Sequence, residues 1–595
     1  MKFSTSTFVA LALLPLAVIS AKVNPLPAPR SLDWLDTTAI AIDLDRLHLE
    51  LANYNEIVHN AFDRSLNTVK SLKWTPAAVE APISKYQPFP TGLAKRDTNA
   101  SIETIKVSIN DAAADLQFGV NETYTMAVSS GGIEIVSETI WGTLHAFSTL
   151  QQLIIYEEGA FQIEGSVKIW DAPLYPHRGI LIDSGRNFLS LKLILQQIDM
   201  LALSKLNVLH WHIEDSQSWP IQLQSYPQMV KDAYSEREQY SAQDISYVVE
   251  YAKQRGVRVM PEIDMPGHSR AGWKQISEDL LACQDSWWSN DVWSEHTAVE
   301  PPPGQLDVLN EDIYPIVANI YDELSKLFTE NLFHVGADEL QANCYNFSTI
   351  LQDFFKANAS RTMKDVSQRW LDRTLPIFYD KPERKLVMWE DILTTPEGAH
   401  NVSKDIILQS WNNGIKNIDL LTGLGYDVIV SSSDHLYLDC GYGGWVTNDI
   451  RYVDDNSGTN EVFNTGLGGS WCAPYKTWQR IYDYDFTANL TDTQKGHILG
   501  AEAALWSEQV DDTVLSSKIW PRAAALAESV WSGNRDPTTG FLRTNQLTQR
   551  ILNFREYLVA LGYTPSPLVP KFCLQNPHGC DLYYNQTVMD QFGTN

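Results

Sequence analysis

From residue 178 onward, short apolar runs recur along the chain, with helix-patterned stretches between them. The runs fall at 179–182, 208–213, 257–263, 332–335, 386–389, 406–411, 428–430 and 498–501. Apolar residues at helical spacing fill 191–203, 245–254, 313–328 and 363–378. Eight strand candidates alternating with helices, over about 350 residues, predict a parallel (β/α)8 barrel with long insertions. An open doubly wound sheet would bring a glycine-rich nucleotide loop after its first strand. No such loop follows residue 182.

Ahead of the barrel, strand-like runs at 105–109, 124–128 and 133–136 are followed by a helix-like run at 140–156 and a strand ending at Ile169-Trp170. This mixture predicts a small α/β domain over 97–173, with the TIM barrel over 174–595. No catalytic signature falls in the small domain. Residues 21–96 differ in composition, being rich in Pro, Leu and Ala, and they end at the dibasic pair Lys95-Arg96. They are expected to form a propeptide cleaved at that pair. Leu44, Leu47, Leu49, Leu51, Ile57 and Phe62 have helix-like spacing over 40–66.

Residues 1–20 carry one early lysine, a short apolar core broken by Pro15 and small residues near the end. They are expected to be a secretory signal peptide, and the protein to be extracellular. No other run is long and apolar enough to suggest a membrane span. The formal charge of −28 argues against nucleic acid and anionic membrane as partners, since both need a basic surface. The six cysteines, Cys283, Cys344, Cys440, Cys472, Cys573 and Cys580, form no Cys-x-x-Cys pair, which favours disulfides over metal binding. Sequential pairing is favoured among the possible connectivities, each pair stapling one local excursion. Sequons at Asn99, Asn121, Asn346, Asn358, Asn401, Asn489 and Asn585 are expected to be surface glycosylation sites.

In such a barrel the chemistry sits where the strands end. After the first proposed strand comes Asp183-Ser184-Gly185-Arg186, with Arg178 at the strand's start. The second ends at His210-Trp211-His212 with Glu214-Asp215, and the third leads to Glu262, Asp264 and His268. The fourth leads to Asp338-Glu339, the fifth to Trp389-Glu390-Asp391 and the sixth to Trp411. The seventh is followed by Asp434, Tyr437 and Asp439, and the eighth by Glu502, Trp506 and Glu508. Any one of these has an ordinary reading. An isolated Asp-Glu pair is usually a solvated turn, and a single Trp usually core. Acids and aromatics gathered at all eight strand ends point instead to an active site. Two neighbouring acids in different environments suit glycoside cleavage. Adjacent residues are poorly placed to attack a sugar from opposite faces, so another group would supply the nucleophile.

In its ordered motifs the chain resembles the β-N-acetylhexosaminidases of glycoside hydrolase family 20, close to secreted fungal enzymes. The resemblance is carried by Arg178-Gly179-Ile180-Leu181-Ile182-Asp183, His210-Trp211-His212, Pro261-Glu262-Ile263-Asp264-Met265-Pro266-Gly267-His268 and His334-Val335-Gly336-Ala337-Asp338-Glu339, with Tyr437-Leu438-Asp439 and Trp506-Ser507-Glu508. It spans about residues 100–595. It implies exo-hydrolysis of terminal β-linked N-acetylglucosamine, and of N-acetylgalactosamine, from chitooligosaccharides or glycoconjugates. The substrate's own 2-acetamido oxygen would attack, giving an oxazolinium intermediate and overall retention.

By that resemblance Glu339 is the acid–base residue, Asp338 steers the acetamide, and Tyr437 donates a hydrogen bond to its oxygen. Trp389, Trp411 and Trp506 wall the acetamide pocket. Arg178, Asp439 and Glu508 hold sugar hydroxyls, and Asp215 and His268 stand behind Glu339 as a relay. Trp471 is assigned to a second sugar. No cofactor is implied: there is no phosphate loop and no helical His-x-x-x-His pair. The implied partners are an oligosaccharide, the chain's own cleaved propeptide and a second copy in a homodimer. Two alternatives stay open at this point. One is a conventional retaining glycosidase using Asp215, Asp264 or Glu508 as nucleophile. The other is a non-catalytic carbohydrate-binding cell-wall protein.

Overall fold

The computed structural model describes residues 23–36, 38–76, 95–157, 159–284, 286, 295–443, 445, 472, 474–576 and 580, and of 95–100 the backbone alone. Eight parallel strands close a barrel: His177–Asp183, Val208–His212, Arg258–Glu262, Leu332–His334, Lys385–Trp389, Ile407–Ser410, Val428–Val430 and Ile498–Leu505. Closure is made by the first and last strands, with Arg178 beside Ala501 and Leu181 beside Ala504. The expected barrel is therefore present, on the eight runs that suggested it.

Because strand side chains alternate with a period of two, the barrel interior is layered. The lowest layer is apolar and contains Val208, Met260, Leu332, Val387, Ile407 and Ile429. Two residues on, the same strands turn His210, Glu262, His334, Trp389 and Gln409 inward, and Glu502 joins them from the last strand. Gly179 makes room for this polar layer: a Cβ there would lie 2.7 Å from Glu502 Cγ. Above it, Leu181, Trp411, Tyr437 and Ala504 pack with the half-buried Trp506 and against Trp389 of the layer below.

The small domain has a six-stranded sheet, ordered Ser31–Trp34, Val167–Asp171, Tyr124–Ser129, Gly132–Thr139, Thr104–Asp111 and His48–Leu51. A second sheet joins Lys95–Ile102, Thr38–Ile42, Ala160–Ile163 and Ile155–Glu157. Segment 23–76 is thus woven into both sheets. The expected helix over 40–66 is corrected: its first half forms strands Thr38–Ile42 and His48–Leu51, and the helix is Glu56–Leu72. Asn55 caps that helix by accepting from Val58 N at 3.1 Å. Its buried face, Val58, Ala61, Phe62 and Val69, joins the core around helix Ile140–Leu153. Each such large apolar side chain contributes about 1.5–3 kcal/mol. Lys95 and Arg96 stand in a strand paired with Thr38 and Ala39, so the fold draws no boundary between 96 and 97.

Disulfides join Cys283 to Cys344, Cys440 to Cys472 and Cys573 to Cys580, the sequential order. Asn121, Asn346, Asn358, Asn401 and Asn489 are exposed. Asn585, the side chain of Asn99, residues 1–20 and Trp471 lie outside the described residues. Among the described residues no helix is long and apolar enough to cross a membrane.

Candidate active site

The turn after strand Leu332–His334 makes the site. Gly336, Ala337 and Glu339 have φ of 67°, 81° and 53°, so the chain bends sharply through the left-handed region. Only glycine fits the first position, since a Cβ on Gly336 would lie 1.7 Å from Asp264 Oδ1. That oxygen instead accepts from Ala337 N at 3.2 Å. The bend brings Asp338 and Glu339 against His268, whose Nε2 lies 3.2 Å from Glu339 Oε2 and 3.7 Å from Asp338 Oδ2.

Asp338 is buried, with Oδ1 lacking a hydrogen-bond partner among the described residues. Burial, and then the neighbouring Asp264, push its carboxyl well above the usual carboxylate range. Asp264, hydrogen-bonded to Asp338, is itself pushed up to about 7, chiefly by burial. Glu339 is the more open of the adjacent pair, its side chain 25% accessible against 10% for Asp338. The two neighbours therefore have the unlike environments that separate an acid–base residue from a steering one.

Behind Glu339 stands His268, in contact with it, and behind His268 stands Asp215. His268 Nδ1 lies 3.2 Å from Asp215 Oδ1, and Arg186 Nη1 lies 2.9 Å from Asp215 Oδ2. Burial works against a charge on His268, but Asp215 and Asp338 outweigh it and hold the imidazole well above its usual range. Burial likewise opposes charge on Asp215, yet Arg186 and His268 hold it well below the usual carboxylate range.

The aromatic residues gather as one wall. Trp411 stacks on Tyr437 with centroids 6.1 Å apart and planes 11° apart. Trp506 meets Tyr437 edge-on at 6.1 Å and lies 6.0 Å from Trp389. Trp506 also donates to the Tyr437 hydroxyl. Burial, and then Asp439, keep that phenol well above its usual range, so it remains a donor at neutral pH. Buried carboxylates pin the wall: Trp389 Nε1 donates to Glu262 Oε1 at 2.8 Å, and Trp411 Nε1 to Asp391 Oδ2 at 2.7 Å. Asp391 also accepts from the backbone N–H of Glu339.

Asp439 and Glu508 flank the wall. Burial pushes Asp439 up to about 7 and, with Glu300 adding to it, lifts Glu508 well above the usual range. Asp439 Oδ1 is buried and lacks a hydrogen-bond partner among the described residues.

Arg178 does not reach this site. It is the second residue of the first barrel strand, at the end opposite the chemistry, where it pairs with Glu122 through both Nη1 and Nη2 at 2.9 and 2.8 Å. Its guanidinium lies 4.9 Å from the Trp531 ring, and the role given to it from the motif is corrected. The arginine at the strand's far end is Arg186, which lies over Trp506 at 4.9 Å and donates to Glu300 Oε1 at 2.8 Å. Arg186 had a legible signal, since the strand-end rule favours position 186 over 178. Glu300 had none; it lies in an irregular loop that folds back beside Asp215 and Glu339.

This geometry agrees with the comparisons to known proteins. Residues 175–534 match the model of glycosyl hydrolase family 20, catalytic domain, and residues 25–153 match a β-acetyl hexosaminidase-like domain. The chain is 53% identical to a β-hexosaminidase of Emericella nidulans, over 96% of this chain and 97% of that one. It is 34% identical to a chitooligosaccharidolytic β-N-acetylglucosaminidase of Ostrinia furnacalis, over 83% and 80%. In fold it is similar to the Flavobacterium johnsoniae chitobiase structure, with a TM-score of 0.70 at 24% identity, covering 91% of this chain and 73% of that one. With its barrel and its N-terminal domain both matched, the chain belongs to glycosyl hydrolase family 20.

Proposed function

We propose that this glycoside hydrolase removes terminal, non-reducing β-linked N-acetylglucosamine and N-acetylgalactosamine, with retention, using the substrate's acetamide as nucleophile. One observation carries the reading. Asp338 and Glu339 share a single turn beside a wall of Trp389, Trp411, Trp506 and Tyr437, and two of the three carboxylates weighed as nucleophile, Asp215 and Asp264, are already engaged. Asp215 is held by Arg186, His212 and His268, and Asp264 by Ala337 N and Asp338. A nucleophile must be loosely held and close to the anomeric carbon. An acetamide seated against the wall meets both demands, and gains from proximity because it belongs to the sugar it attacks.

Glu339 protonates the departing oxygen and then takes a proton from the incoming water. Asp338 accepts from the acetamide N–H and stabilises the charge that develops on the ring it forms. Tyr437 donates to the acetamide oxygen. Arg186, Asp439 and Glu508 grip the sugar hydroxyls. The test compares matched aryl glycosides of N-acetylglucosamine, N-acetylgalactosamine and glucose, with a thiazoline mimic of the cyclic intermediate as inhibitor. Inhibition and a silent glucoside support the reading; an equally active glucoside rejects it.

We also propose that the protein is secreted, glycosylated at its exposed sequons, cleaved after Arg96 and assembled as a homodimer. The pairing of Thr38–Ile42 with Ala160–Ile163 supports retention of the cleaved segment. N-terminal sequencing, mass spectrometry and light scattering of secreted protein test these points. A mature chain in which Arg96 is still joined to Asp97 rejects the cleavage.

A further inference from the structure

Glu339 is one end of an unbroken run of alternating carboxylates and imidazoles that descends into the barrel. From Glu339 it passes to His268 and Asp215, each contact 3.2 Å. It continues to His212, whose Nε2 lies 3.0 Å from Asp215 Oδ2 and whose Nδ1 lies 2.7 Å from Glu262 Oε2. His210 follows, 3.1 Å from Glu262 Oε2 and 3.0 Å from Glu502 Oε2. Glu262, His210 and Glu502 have no exposed surface. The established chemistry uses none of these three.

A buried charge is kept at a cost unless its partners fully satisfy it. Here the partners are unequal in kind. Glu262 Oε1 accepts from Trp389, which is part of the acetamide wall, and lies 2.9 Å from His334 Nδ1, while Oε2 faces His210 and His212, the latter holding Asp215. Both ring nitrogens of His212 meet carboxylate oxygens, so it donates to both when doubly protonated. One carboxylate thus spans the two halves of the site, with an oxygen for each.

We propose that Glu262 is a positioning residue that fixes the acetamide wall and the acid relay relative to each other. The proposal rests on the acetamide reading of the site. The attack of the acetamide and the protonation of the leaving oxygen must coincide at one glycosidic bond. A misplacement of about 1 Å between the groups serving them costs rate steeply. Glu262 sets that relation without touching the sugar.

The test is Glu262→Gln, which keeps the shape and removes the charge. Two ratios of kcat/KM are read, because a ratio does not depend on how much enzyme folds. The first compares a poor with a good leaving group and reports the acid relay. The second compares N-acetyl with a bulkier N-acyl sugar and reports the wall.

The proposal expects the leaving-group ratio to shift by about tenfold against poor leaving groups. It expects discrimination between the acyl groups to relax by roughly tenfold. A fall in rate with both ratios unmoved makes Glu262 a fold residue and overturns the proposal, as does movement of one ratio alone. Where Glu262→Gln gives no folded protein, Glu262→Asp withdraws the charge by one methylene and is read in the same way. His212→Gln cuts the relay branch and also removes an edge-on contact with Trp506 at 5.1 Å, so it is expected to move the leaving-group ratio more than the acyl ratio; the reverse order overturns the proposal. Wild-type enzyme insensitive to the thiazoline mimic removes the acetamide reading, and the proposal with it. Sensitive wild type with unmoved ratios removes the proposal alone.

Discussion

Gly336 and Asp264 are packed so closely that a single added methyl group would sit 1.7 Å from the Asp264 Oδ1 atom. The catalytic turn is built on this contact. Asp264 Oδ1 receives Ala337 N, and its carboxyl shares a hydrogen bond with Asp338. Without the close approach, neither bond could form and Asp338 and Glu339 would not face His268.

Gly336→Ala therefore combines a steric clash with a φ of 67° that alanine resists. The expected loss is about 2–4 kcal/mol of stability, with activity falling further than the folded fraction does. Thermal unfolding alongside active-site titration checks this. An alanine variant with wild-type turnover would mean that the turn has an easy alternative path.

Arg178 in the first strand and Arg186 just beyond its end should separate cleanly. Arg178→Ala leaves Glu122 buried without its bidentate partner, and the expected cost is about 3–5 kcal/mol. Its KM should stay near wild type. Arg186→Ala should raise KM and lower kcat/KM, through lost charged hydrogen bonds of about 1.5–3 kcal/mol each. Kinetics and melting of both variants check the pair. A raised KM in Arg178→Ala with normal stability would restore the reading taken from the motif.

Stability should fall as pH rises above mildly acidic values. Asp391 is pushed up to about 8 by burial and then by Asp338 and Glu339, and Glu390 to about 8 by burial. Asp264 and Asp439 stand at about 7, mainly through burial. Each folded pKa lies above the unfolded value of about 4. The folded state thus binds more protons, and this contribution is complete below about pH 4 and lost as pH rises through 7–8. Asp215 has the opposite sign, since its pKa is depressed, and its contribution is lost as pH falls below about 4. Melting temperature should decline from pH 5 to 8, and Asp391→Asn should flatten the decline. A melting temperature that rises over that range contradicts this balance.

Glu339→Gln should slow turnover by roughly 10²–10⁴-fold. The loss should shrink as the leaving group improves, because a good leaving group needs little protonation. A leaving-group series measures it. Equal losses across the series would remove Glu339 from the role of acid.

The barrel was legible because its evidence is local. Eight apolar runs and the polar residues just beyond them can be read within a few positions of each other. The aromatic wall was legible by the same rule together with the family resemblance. Arg178 was misread because its partner, Glu122, lies 56 residues earlier, and a long-range pair leaves no local mark. Strands Thr38–Ile42 and His48–Leu51 were read as helix for a related reason. Ile40, Ile42, Leu44 and Leu47 satisfy a helical spacing nearly as well as an alternating one. What decides between them is pairing with Lys95–Ile102 and Thr104–Asp111, about fifty residues away. Glu300 sits in a loop whose course is set by tertiary contacts, so no periodicity announced it.

The central claim is that the sugar's acetamide is the nucleophile. The most direct measurement uses aryl glycosides carrying N-acetyl, N-fluoroacetyl, N-difluoroacetyl and N-trifluoroacetyl groups with one leaving group. Each fluorine draws electrons from the carbonyl oxygen with little change in size. The account predicts a progressive fall in kcat/KM, of about tenfold or more across the series. A flat series, or a glucoside without the acetamide hydrolysed at a comparable rate, would contradict it.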